Sequence, residues 1–113
     1  MTSEKIAIVL DTIKRYSDFI VTSHIDPDGD AIGCVVAIHL FLKRLKKSSR
    51  PLLEDGVGEN YRFLDGSEEV LRSVDLPSEV AIVVDSASVE RIGKIKSLVE
   101  RCPIKINIET DVR

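Results

Sequence analysis

An α/β fold, a parallel β-sheet flanked by helices, follows from three features of this 113-residue chain. Short apolar, β-branched runs at 19–23, 80–84 and 104–108 suit buried strands and are too short for independent helices. Segments of helical period lie before and between these runs, the alternation that builds a parallel sheet with helices on its faces. The first run breaks into an acidic segment and the second leads directly into Asp85, as strands do when they lead into a site.

Ile6, Val9, Leu10, Ile13 and Tyr16 recur at helical spacing, with Ser3 placed to cap the segment. Phe19-Ile20-Val21-Thr22-Ser23 is the first strand, and it breaks into the polar, Pro- and Gly-punctuated segment His24-Ile25-Asp26-Pro27-Asp28-Gly29-Asp30. From Ala31 to about Lys47 the pattern is helical. Cys34, Ile38, Phe41 and Leu45 share one face and Ile32, Val35, His39 and Leu42 an adjoining one, a stripe wide enough to touch a sheet and further elements. Lys43, Arg44, Lys46 and Lys47 fall in its last turns, where positive charge complements the helix dipole.

Pro51-Leu52-Leu53-Glu54 reads as a weaker strand and 56–58 as a turn. Tyr61-Arg62-Phe63-Leu64 and Ser67-Glu68-Glu69-Val70-Leu71 read as short helical pieces covering one edge, with Tyr61 and Phe63 as core. Val80-Ala81-Ile82-Val83-Val84 is the clearest buried strand and leads into Asp85. A helical pattern from about Arg91 to Glu100 precedes the last strand, Ile104 to Ile108.

The length is that of one domain, residues 1–113, with no internal repeat or linker. Apolar residues at 43% and charged residues at 31% describe an ordinary globular chain. No run approaches the roughly 20 apolar residues that span a bilayer, and the first residues lack a signal-peptide core, so a cytoplasmic protein without membrane contact is expected. A net charge of −3 argues against a nucleic-acid-coating surface, so phosphate chemistry would need metal ions. Cys34 and Cys102 lie far apart among apolar neighbours and are expected as buried, reduced thiols.

Chemistry concentrates where the strands end. His24, Asp26, Asp28, Asp30 and Asp85 all fall beyond the carboxyl ends of predicted strands. Three aspartates within five residues repel one another unless a cation sits between them. One could cap the following helix, but three with a histidine, and a fourth after another strand, exceed what capping requires. Imidazole mixed with carboxylates suits manganese or a similar transition metal better than calcium. An EF-hand loop counted from Asp26 fails, because Ala31 and Ala37 stand where Gly and Glu belong. Asp26-Pro27-Asp28-Gly29 also fits the D-x-D-G of haloacid dehalogenase-like phosphatases, a weaker reading because Asp30 replaces the threonine expected next and His24 is left without a role.

VTSHIDPDGDAIGC closely resembles the first motif of the DHH phosphoesterases, in particular the DHH/DHHA1 branch that includes small-oligonucleotide phosphodiesterases. AIVVDSAS resembles the second motif, and Tyr61-x-Phe63-Leu64 is similar to family sequence between the two. The resemblance implies a manganese-dependent phosphodiesterase acting on short oligonucleotides or dinucleotides. It implies that His24 and Asp28 bind one ion, Asp30 the other, and Asp85 lies between them, with Asp28, Asp30 and Asp85 serving catalysis. The third motif, Asp-His-His, is replaced by Glu109-Thr110-Asp111, which lacks both imidazoles. The family's C-terminal substrate-binding domain is likewise not matched, so the expectation is a truncated domain with an incomplete, impaired catalytic site. The alternative is a non-catalytic DHH-like module that self-associates as a homo-oligomer. His39 reads as a packed or surface histidine and Ser86 and Ser88 as helix caps, all three outside the chemistry, and Arg91 as an exposed helix residue outside the site.

Overall fold

The computed structural model describes residues 3–23, 29–84 and 95–108. Four parallel strands, β1 (Asp18–Ser23), β2 (Ser48–Leu52), β3 (Val80–Val84) and β4 (Ile104–Ile108), form one sheet in the order β2-β1-β3-β4. Among the described residues three α-helices accompany them: α1 (Ser3–Arg15), α2 (Gly29–Arg44) and α3 (Lys96–Glu100). The α/β class expected from the alternation is the class observed.

Strand residues alternate between two cores. Phe19, Val21, Val80, Ile82 and Val84 join Ile13 of α1 and Ile32, Val35, Val36 and Leu42 of α2 on one face. Ile20, Ala81 and Val83 join Leu98 and Val99 of α3, with Ile95 and Cys102, on the other. The two faces follow from the strand order. The step from β1 to β2 and the step from β3 to β4 run in opposite directions across the sheet, so crossovers of the same hand place α2 and α3 on opposite sides.

The amino-end edge of the sheet is clamped by side chains. Glu79 accepts from the backbone amides of Ser17 and Asp18 at 3.0 and 3.1 Å, and Ser78 links Arg50 to the Asp18 carboxylate. These bonds tie the entry of β3 to the entry of β1, which fixes the register that aligns their far ends.

The buried stripe of α2 is narrower than its sequence suggests: Ile32, Val35, Val36, His39 and Leu42 are buried, whereas Phe41 and Leu45 are exposed. The helix also ends early. Lys46 adopts φ 61°, and Lys47 N–H bonds back to Leu42 O at 3.0 Å, the six-to-one closure of a Schellman cap. Lys46 thus terminates the helix through its backbone, a role its charge did not announce. Cys102 is buried as expected but Cys34 is only partly so, and neither is in a disulfide. Only the last part of the expected third helix, from Lys96, falls within the described residues as α-helix.

Between β2 and β3 the chain forms a strap. Two 3-10 turns, Glu59–Tyr61 and Ser67–Glu69, correspond to the two helical pieces expected there. Its far end is pinned to β2, with Leu71 N–H donating to Pro51 O at 2.8 Å and Leu53 N–H to Leu71 O at 2.9 Å. Tyr61 and Leu64, three positions apart, share the inward face of this tight turn and pack on the core. Phe63 falls off that face and is 76% exposed, so it is not the core residue its aromaticity suggested.

Candidate active site at the strand switch

The neighbouring strands β1 and β3 send their crossovers in opposite directions, and it is beyond the carboxyl ends of strands at such a switch that open α/β sheets bind ligands. Ser23 and Val84 are register partners and the last residues of the two strands. Both hydroxyls at the end of β1 are buried and turned sideways: Thr22 Oγ1 donates to Leu52 O at 2.6 Å, and Ser23 Oγ donates to Val84 O at 2.7 Å. Each supplies a donor to a carbonyl at the finishing end of a neighbouring strand. The end of β1 is thereby fixed to β2 on one side and to β3 on the other.

His24 follows Ser23 in the sequence and Asp85 follows Val84, so two of the expected metal ligands belong to segments that leave from paired strand ends. His24, Asp26, Asp28 and Asp85 lie outside the described residues, as do Ser86, Ser88, Arg91, Glu109, Thr110 and Asp111. Asp30 is the expected site residue that is described. It is exposed in the first turn of α2, where a carboxylate also complements the helix dipole. Among the described residues no group of three or more His, Cys, Asp or Glu side chains is arranged to hold a metal ion. One imidazole and several carboxylates follow β1 and β3 in the sequence, and the chemistry of those donors would suit a divalent metal ion.

Gly29, read from the sequence as punctuation of the acidic segment, has a packing reason for being glycine. Its φ lies outside the left-handed region, but a Cβ there would meet Tyr61 Cε1 at 2.8 Å and the Tyr61 hydroxyl oxygen at 3.0 Å. The aromatic ring of the strap rests directly on the first turn of α2. Farther along, the strap's Gly66, at φ 91°, lies so close to α2 that a Cβ would meet Leu40 Cδ2 at 2.9 Å and Val36 Cγ1 at 3.3 Å. Glu69 then reaches His39 at 3.2 Å and Lys43 at 2.7 Å.

His39 is 2% exposed, and its ring meets Ser49 Oγ at 2.7 Å through Nδ1 and Glu69 through Nε2. With N–H on Nε2 donating to the carboxylate and the Ser49 hydroxyl donating to Nδ1, every polar group in the cluster is satisfied. His39 is therefore a packed histidine, as expected, with acidic company that helical spacing could not reveal. Lys43 and then His39, by hydrogen bonding to Glu69, hold its carboxyl below the ordinary value of 4.5. Tyr61 went unrecognised as a neighbour of the acidic segment, and the Tyr-x-Phe-Leu spacing was the signal available.

Two surface hollows lie elsewhere. One of about 680 Å³ is lined by 55–59, Arg62, Glu68 and Arg72 among others, and one of about 400 Å³ by Arg72, Asp75, Ile95 and Arg101 among others. Neither includes Asp30 or the ends of β1 and β3. No helix among the described residues is long and apolar enough to cross a membrane.

No family model matches the chain. Over 92 residues it is 32% identical to the bifunctional oligoribonuclease and PAP phosphatase NrnA of Thermus thermophilus, an alignment that covers 79% of this chain and 28% of that relative. The chain thus corresponds to less than a third of the curated relative it matches. In three dimensions it resembles an exopolyphosphatase-related protein from Bacteroides fragilis, with a TM-score of 0.82 at 21% identity, over 99% of this chain and 36% of that one. The second likeness establishes the fold.

Proposed function

The chain belongs with the DHH-family phosphoesterases, one portion of which it matches, and from that premise we propose that its strand switch is the leading part of a two-metal site for phosphoester hydrolysis. The observation that carries this reading is the meeting of β1 and β3 at the switch, from which the acidic segment and Asp85 depart. His24 and Asp28 would hold one manganese ion and Asp30 the other, with Asp85 between. Two divalent ions so held supply a nucleophile at neutral pH and neutralise charge developing at phosphorus.

The residues divide the remaining work. The carboxylates of Asp28, Asp30 and Asp85 bring the negative charge that draws two dications to one place, and His24 adds a nitrogen donor that favours a transition metal. Asp26, next to these ligands, serves as a hydrogen-bond partner that orients one of them. Thr22 and Ser23 spend their hydroxyls on carbonyls of the neighbouring strands, so the end of β1 carries position rather than chemistry into the site. The curated relative is named for action on oligoribonucleotides and PAP, and a short nucleotide phosphoester is the substrate class we carry over. Thr110 and Asp111 bring no imidazole where the family has two, so hydrolysis by this chain is weak. Two cysteines outside any disulfide fit a reducing, cytoplasmic setting.

Calorimetric titration with manganese(II) chloride tests the reading without knowledge of the substrate. Micromolar or tighter uptake by the chain, lost in Asp28→Asn and in Asp85→Asn, is the expected result. Equal uptake by chain and variants, or none by the chain, would overturn it.

A further inference from the structure

The strap touches α2 at three points that follow one another along both segments. Tyr61 lies on Gly29, Gly66 on Val36 and Leu40, and Glu69 on His39 and Lys43. Two of these contacts fall at glycines where a Cβ would collide with the partner side chain, and the third uses a charged pair anchored on a buried histidine. An exposed connection needs none of this. Tyr61 reaches the turn carrying Asp30, and it does so with a half-buried ring packed against the core.

We infer that Tyr61 is a positioning residue for the acidic segment: its ring, held by the strap against Gly29, fixes the first turn of α2 and with it the Asp30 carboxylate. The inference rests on Asp30 being a metal ligand, as proposed above, and adds the residue that sets where that ligand stands. The physical reason is rigidity at a frayed end. The first turn of a helix has amide groups without intrahelical partners and opens more readily than the middle. A ring seated on glycine resists that opening, and the same ring on alanine would push the turn away. Tyr61 acts through packing, so the aromatic ring matters and the hydroxyl does not.

The test is a manganese titration of the full chain with Tyr61→Ala, Tyr61→Phe, Gly29→Ala and the double variant, each first checked by circular dichroism and urea unfolding. Tyr61→Ala weakens uptake about tenfold, within the range seen when groups that orient ligands are removed. Tyr61→Phe binds as the unaltered chain does. Gly29→Ala weakens uptake to a similar degree, and the double variant is no worse than the weaker single one, because removing the ring removes the collision. Undiminished uptake in Tyr61→Ala, or losses that multiply in the double variant, would overturn the inference.

A second readout separates the positioning role from the metal reading. In metal-free protein, the backbone amide resonances of Asp30 and Ala31 shift in Tyr61→Ala and stay in place in Tyr61→Phe. If the unaltered chain takes up no manganese, the metal reading falls, and these amides alone decide whether the ring holds the turn. Unmoved amides in Tyr61→Ala would end the inference whatever the titration shows.

Discussion

His39 Nε2 lies 3.2 Å from Glu69 Oε1, a contact between residues 30 positions apart that ties the far end of the strap to the middle of α2. Lys43 makes the same carboxylate the centre of a small charged cluster, with its Nζ 2.7 Å away.

The Glu69 carboxyl titrates below its ordinary value of 4.5, first because of the Lys43 hydrogen bond and then because of His39. A carboxylate whose folded value is depressed contributes stability that is present above 4.5 and is lost as pH falls through the folded value. Replacing Glu69 by Gln removes that contribution. Urea unfolding of both proteins between pH 7 and pH 3 should therefore show a stability gap that closes as the pH drops below about 4.5. A gap of constant size would mean that the cluster owes nothing to charge.

Gly66 combines a left-handed backbone with contact against Leu40 and Val36, so Gly66→Ala meets strain and collision together. The expected cost is about 2 kcal/mol, part of the collision being relieved by movement of the Leu40 side chain. Gly33 in α2 has nothing within 4 Å of an added Cβ, and Gly33→Ala should stabilise by about 0.5–1 kcal/mol through better helix propensity. Opposite signs from the same substitution, measured by denaturant midpoints, check both.

Lys46 holds a left-handed conformation with a side chain, at the position of a Schellman cap where glycine is favoured. Lys46→Gly relieves that conformation at some cost in unfolded-state entropy, and a net gain of about 0.5–1 kcal/mol is expected. Thermal unfolding reads the gain as a rise in midpoint. A fall would show that the lysine side chain contributes more than its backbone costs.

At the sequence level, Glu109→Asp, Thr110→His and Asp111→His together restore two imidazoles and the family's aspartate. Manganese uptake by this triple variant should tighten at least about tenfold over the unaltered chain, in keeping with the addition of nitrogen donors to a carboxylate site. The same titration, run beside the unaltered chain, checks it. Unchanged uptake would place residues 109–111 away from the metal.

Much of the fold could be read from the chain because β1, β3 and β4 are apolar runs bounded by polar punctuation, and because the helical period between them is strong. The central position of β1 could not be read, since strand order depends on which partners meet in space. The site was legible only as residue chemistry: three aspartates and a histidine after one strand and an aspartate after another name a candidate ligand set without its geometry. What escaped was mediated by contacts across long separations. His39 lacked an acidic neighbour at helical spacing because its neighbour sits in the strap, and Gly29 looked like a turn residue because the ring that requires it comes from Tyr61. Phe63 misled in the opposite sense, since aromatic character alone does not say which side of a tight turn a residue takes.

The parallel register also sets an order of assembly. Thr22 and Leu52, joined across β1 and β2, are 30 positions apart, whereas Ser23 and Val84, joined across β1 and β3, are 61 apart. Doubling a loop raises its closure cost by about 0.6 kcal/mol, so the two strand–helix–strand halves close more cheaply than the seam between them. Transition-state φ-values lower for contacts between β1 and β3 than for those within each half would record that order. The last pairing to form would then be the one from which His24 and Asp85 depart, and a cation shared across it would fasten together two halves that had already folded.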